Sequence, residues 1–329
     1  MSNISTENVL AVHFPWQAPQ WLRLCELRAN NRLPHALLLG GPNGVGKRRF
    51  ARAIAHSLLC EKSITANPCG ECRPCHLNLA GTHPDFKVLE PEEPGKQIKV
   101  DQIRAISDFI GQTAQQGGYK ILIIEPAEAM NINAANALLK SLEEPTDNTF
   151  ILLVCDSVGL LLPTIKSRCQ FLGFPVPAQA ESLAWLASTL KEKGQADSLL
   201  RDAGDRPLAA LALIESGALQ QRQAMQTQLI DMVQGRASAL QIAELWKNID
   251  LIEVLGWLQL KMSDLIRFNQ GGVFIGQHWQ GLVVNDVKKI FLLVDVISTL
   301  QAKVSRGATP NKQLVLEDIL LRTCEVFRR

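Results

Sequence analysis

Two rhythms of apolar residues share the first half of the chain. Unbroken apolar runs recur at His35-Ala36-Leu37-Leu38-Leu39, from Tyr119 to Ile124, and from Phe150 to Cys155. Runs of this length with polar flanks read as central parallel strands buried on both faces. Between them apolar residues return at helical spacing: Ile54 and Leu58 after the first run, Ile103, Ile106 and Ile110 in a helix expected to be capped by Asp101, and Ile132, Ala135, Leu138, Leu139 and Leu142 before Pro145. Asp85 to Glu90 reads as one more strand, and Phe14, Trp16, Trp21, Leu22, Leu24 and Leu27 as a packing segment with no chemistry of its own. Strand and helix in alternation predict a three-layer α/β domain with a mostly parallel sheet over residues 1–176.

Beyond Pro175-Val176-Pro177 the strand rhythm stops. Leu183, Leu186, Leu190, Leu199, Leu200, Leu208, Leu211 and Leu213 predict a small helical lid over 177–215. Ile242, Leu245, Trp246, Val254, Leu258, Ile290, Ile297, Leu314, Leu316 and Ile319 then predict an all-α bundle over 216–329, with Gly271-Gly272-Val273 as its clearest loop.

A chain of 329 residues exceeds one ordinary core and suggests two or three domains. With 34 basic against 32 acidic residues the net charge is +2, so any contact with DNA must be local. The polar start has no signal-peptide pattern, and no apolar run is long enough to span a bilayer, which predicts a cytoplasmic location. In a reducing compartment clustered cysteines point to metal.

Three stretches carry candidate chemistry. Gly40-Gly41-Pro42-Asn43-Gly44-Val45-Gly46-Lys47 lies between a strand and a helix, the setting of a phosphate-binding loop, with Gly41, Gly44, Gly46 and Lys47 as its elements. Arg48 stands where a Ser or Thr would hold Mg²⁺. A tight turn alone, nucleotide binding without turnover, and hydrolysis all fit the loop. Cys60, Cys69, Cys72 and Cys75 supply four thiolates for one tetrahedral ion, a closed and hence structural site for Zn²⁺. An iron–sulfur run would need a further cysteine where Leu79 stands, and free or paired thiols are the remaining alternative. His76 and His83 are spare ligands that read as surface residues, and Cys25, Cys155, Cys169 and Cys324 read as packing residues. The third stretch is Ser167-Arg168-Cys169, whose arginine is either a solvated surface residue or a functional one.

A strand ending in Glu125, then Asn136-Ala137-Leu138-Leu139-Lys140-Ser141-Leu142-Glu143-Glu144-Pro145, a second strand, and Ser167-Arg168-Cys169 together resemble the AAA+ clamp-loader family, most of all its delta-prime branch. The resemblance is strong over residues 34–175 and looser beyond. It implies an AAA+-type α/β domain with a zinc knuckle inserted after the loop helix, a lid, and a helical collar domain that joins subunits; Thr309 to Glu317 resembles the start of the collar's last helix. In that family the acidic strand ends Asp-Glu, but here it ends Glu125-Pro126. The polar γ-phosphate sensor is replaced by Val154 or Cys155, and the lid's sensing arginine by Pro207, with Arg206 one residue early. The resemblance therefore implies a subunit without ATPase activity of its own. It also implies that Arg168, positioned by Ser167 and Cys169, is donated in trans to a neighbouring motor subunit's ATP. Gamma- or tau-type motor subunits, a delta-type subunit, the sliding clamp and primer–template DNA are the implied partners in a hetero-oligomer associated with the nucleoid. Membership of a DNA-directed DNA polymerase holoenzyme links the chain to nucleotidyl transfer only through the complex. The competing expectation is a clamp-loader ATPase that hydrolyses its own ATP through Lys47 and Glu125.

Overall fold

The computed structural model describes residues 9–63, 67–93, 95–116, 118–190, 193–269, 284, 286–305 and 307–327; the expected loop Gly271-Gly272-Val273 lies outside them. Five strands, β1 (Ala36–Gly40), β2 (Phe86–Leu89), β3 (Lys120–Ile124), β4 (Thr149–Cys155) and β5 (Gln170–Gly173), form one fully parallel sheet in the order β2-β3-β4-β1-β5. Every residue of β1, β3 and β4 is buried, whereas the edge strands β2 and β5 are only partly covered. Successive side chains point to opposite faces of a strand, so each apolar run feeds two cores. Leu37, Leu39, Ile121, Ile123, Leu152 and Val154 pack with the helices Ala18–Ala29 and Lys47–Leu59. Leu38, Leu122, Ile124, Ile151 and Leu153 pack on the other side with Val100–Ile110 and Ile132–Glu143. These are the three layers that strand–helix alternation predicts.

Parallel register brings the carboxyl ends of the strands together, the edge at which open α/β sheets bind ligands. Gly40 pairs with Cys155 and Gly173, and Ile124 with Leu153. Gly41, Glu125 and Asp156 therefore leave the sheet along one edge. At the opposite end, buried Asp85 accepts the N–H groups of Gln115 (2.8 Å) and Gln116 (2.9 Å) and lies 3.8 Å from buried Lys120, whose ammonium also sits 4.5 Å from the centre of the Phe109 ring. This network fixes the turn that leads into β3.

Local details depart from the expectations in four places. β5 has no apolar run; its pairing to β1 makes it a strand, and only Leu172 of its four residues is buried. The helix Val100–Ile110 is capped through Gln102, whose Oε1 accepts the Lys99 N–H at 3.0 Å, while Asp101 pairs with Arg104 in the first turn. Asn131 caps Ile132–Glu143, its Oδ1 accepting the Ala134 N–H at 2.8 Å. Ile132, at the start of that helix, is 68% exposed, and Ala134 is buried in its place. Leu22, Leu245 and Leu314 also face outward, because period alone gives a stripe without saying how wide its covered part is.

Contacts divide the chain into two compact units, Met1–Ser216 and Gly217–Arg329. The helices Gln179–Thr189, Ala196–Asp202 and Pro207–Glu215 fall with the sheet in the first. The second is all helical: Ala218–Val233, Ala239–Trp246, Leu251–Asn269, Val287–Ser305 and Lys312–Phe327 enclose a core centred on Leu229, Trp246, Trp257, Leu258, Ile297 and Ile319. Ser238 and Gln241 cap one of these helices reciprocally, and the Trp246 indole N–H reaches Gln228 Oε1 at 2.7 Å. Among the described residues no helix is long and apolar enough to cross a membrane.

Candidate functional site

Gly41, Gly44, Gly46 and Lys47 form a loop from β1 to the N-terminus of Lys47–Leu59. Gly44 and Gly46 adopt positive φ (+86° and +94°), a conformation that favours glycine. A Cβ at Gly44 would also lie 2.7 Å from that of Ala209. The loop is covered on two sides. Trp16 Nε1 and Gln17 Nε2 both donate to Val45 O, at 2.9 and 3.0 Å, and the Phe14 ring lies against Gly46. From the helical stretch after β5, Leu208 N–H donates to Gly44 O (3.1 Å) and Arg206 Nη1 to Asn43 O (3.3 Å), while Trp185 meets Phe14 and Trp16 edge-on. The segment expected to do nothing but pack is thus the floor of the loop.

Lys47 is 3% exposed, and its ammonium has three donors. Gly41 O (2.6 Å), Pro42 O (2.7 Å) and Asp156 Oδ1 (2.6 Å) take all of them. Glu125, fully buried at the end of β3, is matched by the Arg52 guanidinium at 2.5 Å. Glu90 beside it is pushed above the ordinary carboxyl range by burial and by the charge of Glu125, and Arg48 stands 4.0 Å from it. Val154 and Cys155 close β4 inside the core, where burial pushes the Cys155 thiol up. An approaching polyphosphate would meet an aspartate on the lysine, and a divalent cation would meet a guanidinium on the acid. Arg52 and Asp156, invisible as site residues in the sequence, pair with Glu125 and Lys47 from inside the chain. Their only sequence signal is position: one lies further along the loop helix, the other directly follows a buried strand.

Arg168 lies at the opposite, amino edge of the sheet, after the single-turn helix Pro163–Lys166 and just before β5, whose first residue Gln170 pairs with Leu37 near the start of β1. Its side chain is about a third exposed. Nε donates to Glu143 Oε1 at 2.7 Å, Nη2 pairs with the same oxygen, and Nη1 donates to Thr164 O at 3.1 Å and makes a longer contact of 3.4 Å to Ser167 Oγ. Ser167 Oγ in turn donates to Thr164 O. Cys169 packs against the core formed by the helices 100–110 and 132–143, its thiol raised to about 12 by burial, so it anchors the tripeptide and does not react.

The four cysteines converge. All four sulfurs lie within 4.8 Å of one another, with Cys60–Cys72 at 3.8 Å and Cys69–Cys75 at 4.0 Å. A tetrahedral ion with metal–sulfur bonds of about 2.3 Å needs sulfurs about 3.8 Å apart. Cys69 Sγ accepts the N–H groups of Glu71 and Cys72, each at 3.4 Å, which pulls its thiol down to about 6; Cys60 Sγ accepts that of Cys69. These residues fit a metal that is bound as thiolate. His76 is exposed, but His83 is buried and accepts the Asp85 N–H on Nδ1 (3.1 Å), contrary to its expected place on the surface.

The profile of a family described as "DNA polymerase III, delta subunit" matches residues 16–178, and that of "DNA polymerase III, delta subunit, C terminal" matches 216–324. A DNA polymerase III subunit delta′ of Pseudomonas aeruginosa is 39% identical over 324 residues, covering 94% of this chain and 96% of its own. The proteins of the same name from Haemophilus influenzae (35% over 256 residues, 77% of each chain) and Escherichia coli (28% over 317 residues, 94% of each chain) are also similar.

Proposed function

The chain belongs to the delta-prime family of DNA polymerase III subunits, and from that membership we propose that it serves in the clamp loader as the member that lends an arginine and splits no ATP itself. The reading is carried by one contrast between the two edges of the sheet. At the carboxyl edge Lys47 and Glu125 are buried on partners from their own chain, Asp156 and Arg52, while at the amino edge Arg168 is paired with Glu143 in a part-exposed position. A guanidinium fork placed on a neighbour's γ-phosphate stabilises charge in phosphoryl transfer and accelerates it by roughly 10³- to 10⁵-fold. The loop supports a structural role for Gly41, Gly44, Gly46 and Lys47, holding strand, lid and N-terminal segment together. Zn²⁺ is the metal we assign to Cys60, Cys69, Cys72 and Cys75, since four thiolates leave no position for a substrate.

The helical unit Gly217–Arg329 is assigned to assembly with motor and delta-type subunits, and through that complex the chain acts on the sliding clamp and primed DNA, in the cytoplasm where the chromosome lies. In a reconstituted complex, Arg168→Ala should lower DNA-stimulated ATP turnover at least tenfold with assembly intact; unchanged turnover removes the finger. The purified chain alone should show no magnesium-dependent hydrolysis. Turnover abolished by Lys47→Ala would instead favour an ATPase of its own.

A further inference from the structure

We propose that Glu143 is the positioning residue for Arg168: it holds the guanidinium by one edge so that its outer edge faces a neighbouring subunit's phosphate. The inference rests on the reading of Arg168 as a finger donated in trans. A guanidinium has five N–H donors in a fixed plane. Nε and Nη2, which form its side edge, both meet Glu143 Oε1, and Nη1 meets Thr164 O. Three sites on two elements, the C-terminus of the helix 132–143 and the short helix 163–166, thereby define the plane. The donors left over are one N–H of Nη2 and the Nη1 donor whose only contact is the long one to Ser167 Oγ, 3.4 Å. The Nη2 donor belongs to the end of the fork, which is the edge that bidentate phosphate recognition uses.

The pair does not act as a lock. Glu143 is 49% exposed and Arg168 34%, and ion pairs at such exposure contribute little to stability. What they supply is direction. A free arginine would spread its rotamers over the surface, and freezing them at the moment of contact has an entropy cost. Glu143 is itself set by the last turn of a helix whose other face, Ala135, Leu138 and Leu142, is buried in the core, so the carboxylate is carried on a rigid element.

The test uses the reconstituted clamp loader with primed DNA and clamp. Glu143→Ala should lower kcat for ATP about three- to tenfold with KM little changed, and Glu143→Gln, which keeps an oxygen for Nε and Nη2, should restore kcat to within about twofold of the native complex. The double variant Glu143→Ala, Arg168→Ala should be no slower than Arg168→Ala alone, because the carboxylate acts through the arginine. Equal kcat in Glu143→Ala and native complexes overturns the proposal, as does an increase, which would make the pair an inhibitory latch. An added loss in the double variant overturns it too, since that marks a purely structural contribution. If Arg168→Ala has no effect, the finger reading itself falls; if it slows turnover but Glu143→Ala does not, only the positioning role falls.

Discussion

His56 shows how much a single residue can owe to surroundings that are distant in sequence. It is buried on the loop helix, accepts the Ala11 N–H on Nδ1 at 3.0 Å and meets the edge of Phe86. Burial first, then the charges of Arg52 and His83, lower its pKa from 6.5 to about 4. The folded state thus refuses a proton that the unfolded chain accepts. The stability tied to neutral His56 is fully present above pH about 6.5 and is lost as pH falls toward about 4, amounting to roughly 2 kcal/mol at pH about 5. His56→Gln, which can still accept from Ala11, should flatten that part of the pH profile; denaturant unfolding of both chains at pH about 8 and about 5 checks it, and parallel losses would remove the assignment. The same lesson holds at Lys47 and Glu125, which the sequence offers as nucleotide ligands and the fold pairs with Asp156 and Arg52. Residue type was legible there, but the partner was not, because partners came from elements tens of residues away.

Among the elements, the knuckle was the most legible: spacing alone named Cys60, Cys69, Cys72 and Cys75, and the fold brings their sulfurs within 4.8 Å. Spacing sufficed because the short links between the last three ligands leave the chain few ways to separate them. Among the described residues Leu10 is the further apolar partner of the cluster, so the metal would supply much of what holds it. We therefore expect one zinc per chain, and expect chelation at neutral pH to expose residues near 60–75 to protease while the sheet's cooperative unfolding persists. Metal analysis and limited proteolysis read the two outcomes, and a preparation free of metal with an equally resistant knuckle would refute the assignment. β5 was the least legible element. Its sequence has neither a run nor an alternation, and its strand conformation comes from hydrogen bonding along β1.

At the scale of the whole molecule, two units each carry their own core. The helical unit buries Leu229, Trp246, Trp257, Leu258, Ile297, Ile319 and Leu320 among its own helices. Expressed alone, Gly217–Arg329 should be helical and lose its structure in a single urea transition of a few kcal/mol, as small domains do; a gradual, non-cooperative loss of circular dichroism would show that it depends on the first unit. A net charge of +2 gives no long-range attraction to DNA, in keeping with the proposal that the chain meets DNA through a complex. By itself the sequence determined the alternation of buried strands and helices, the change to an all-helical second half, the clustered cysteines and the tripeptide Ser167-Arg168-Cys169, since each is written in local period or short spacing. Only the tertiary structure decided that Asp156 and Arg52 pair with Lys47 and Glu125, that Phe14, Trp16 and Gln17 line the glycine loop, and that Glu143 pairs with Arg168. Those are contacts between side chains far apart along the chain, and they exist only once the parallel sheet has brought the strand ends together at its two edges.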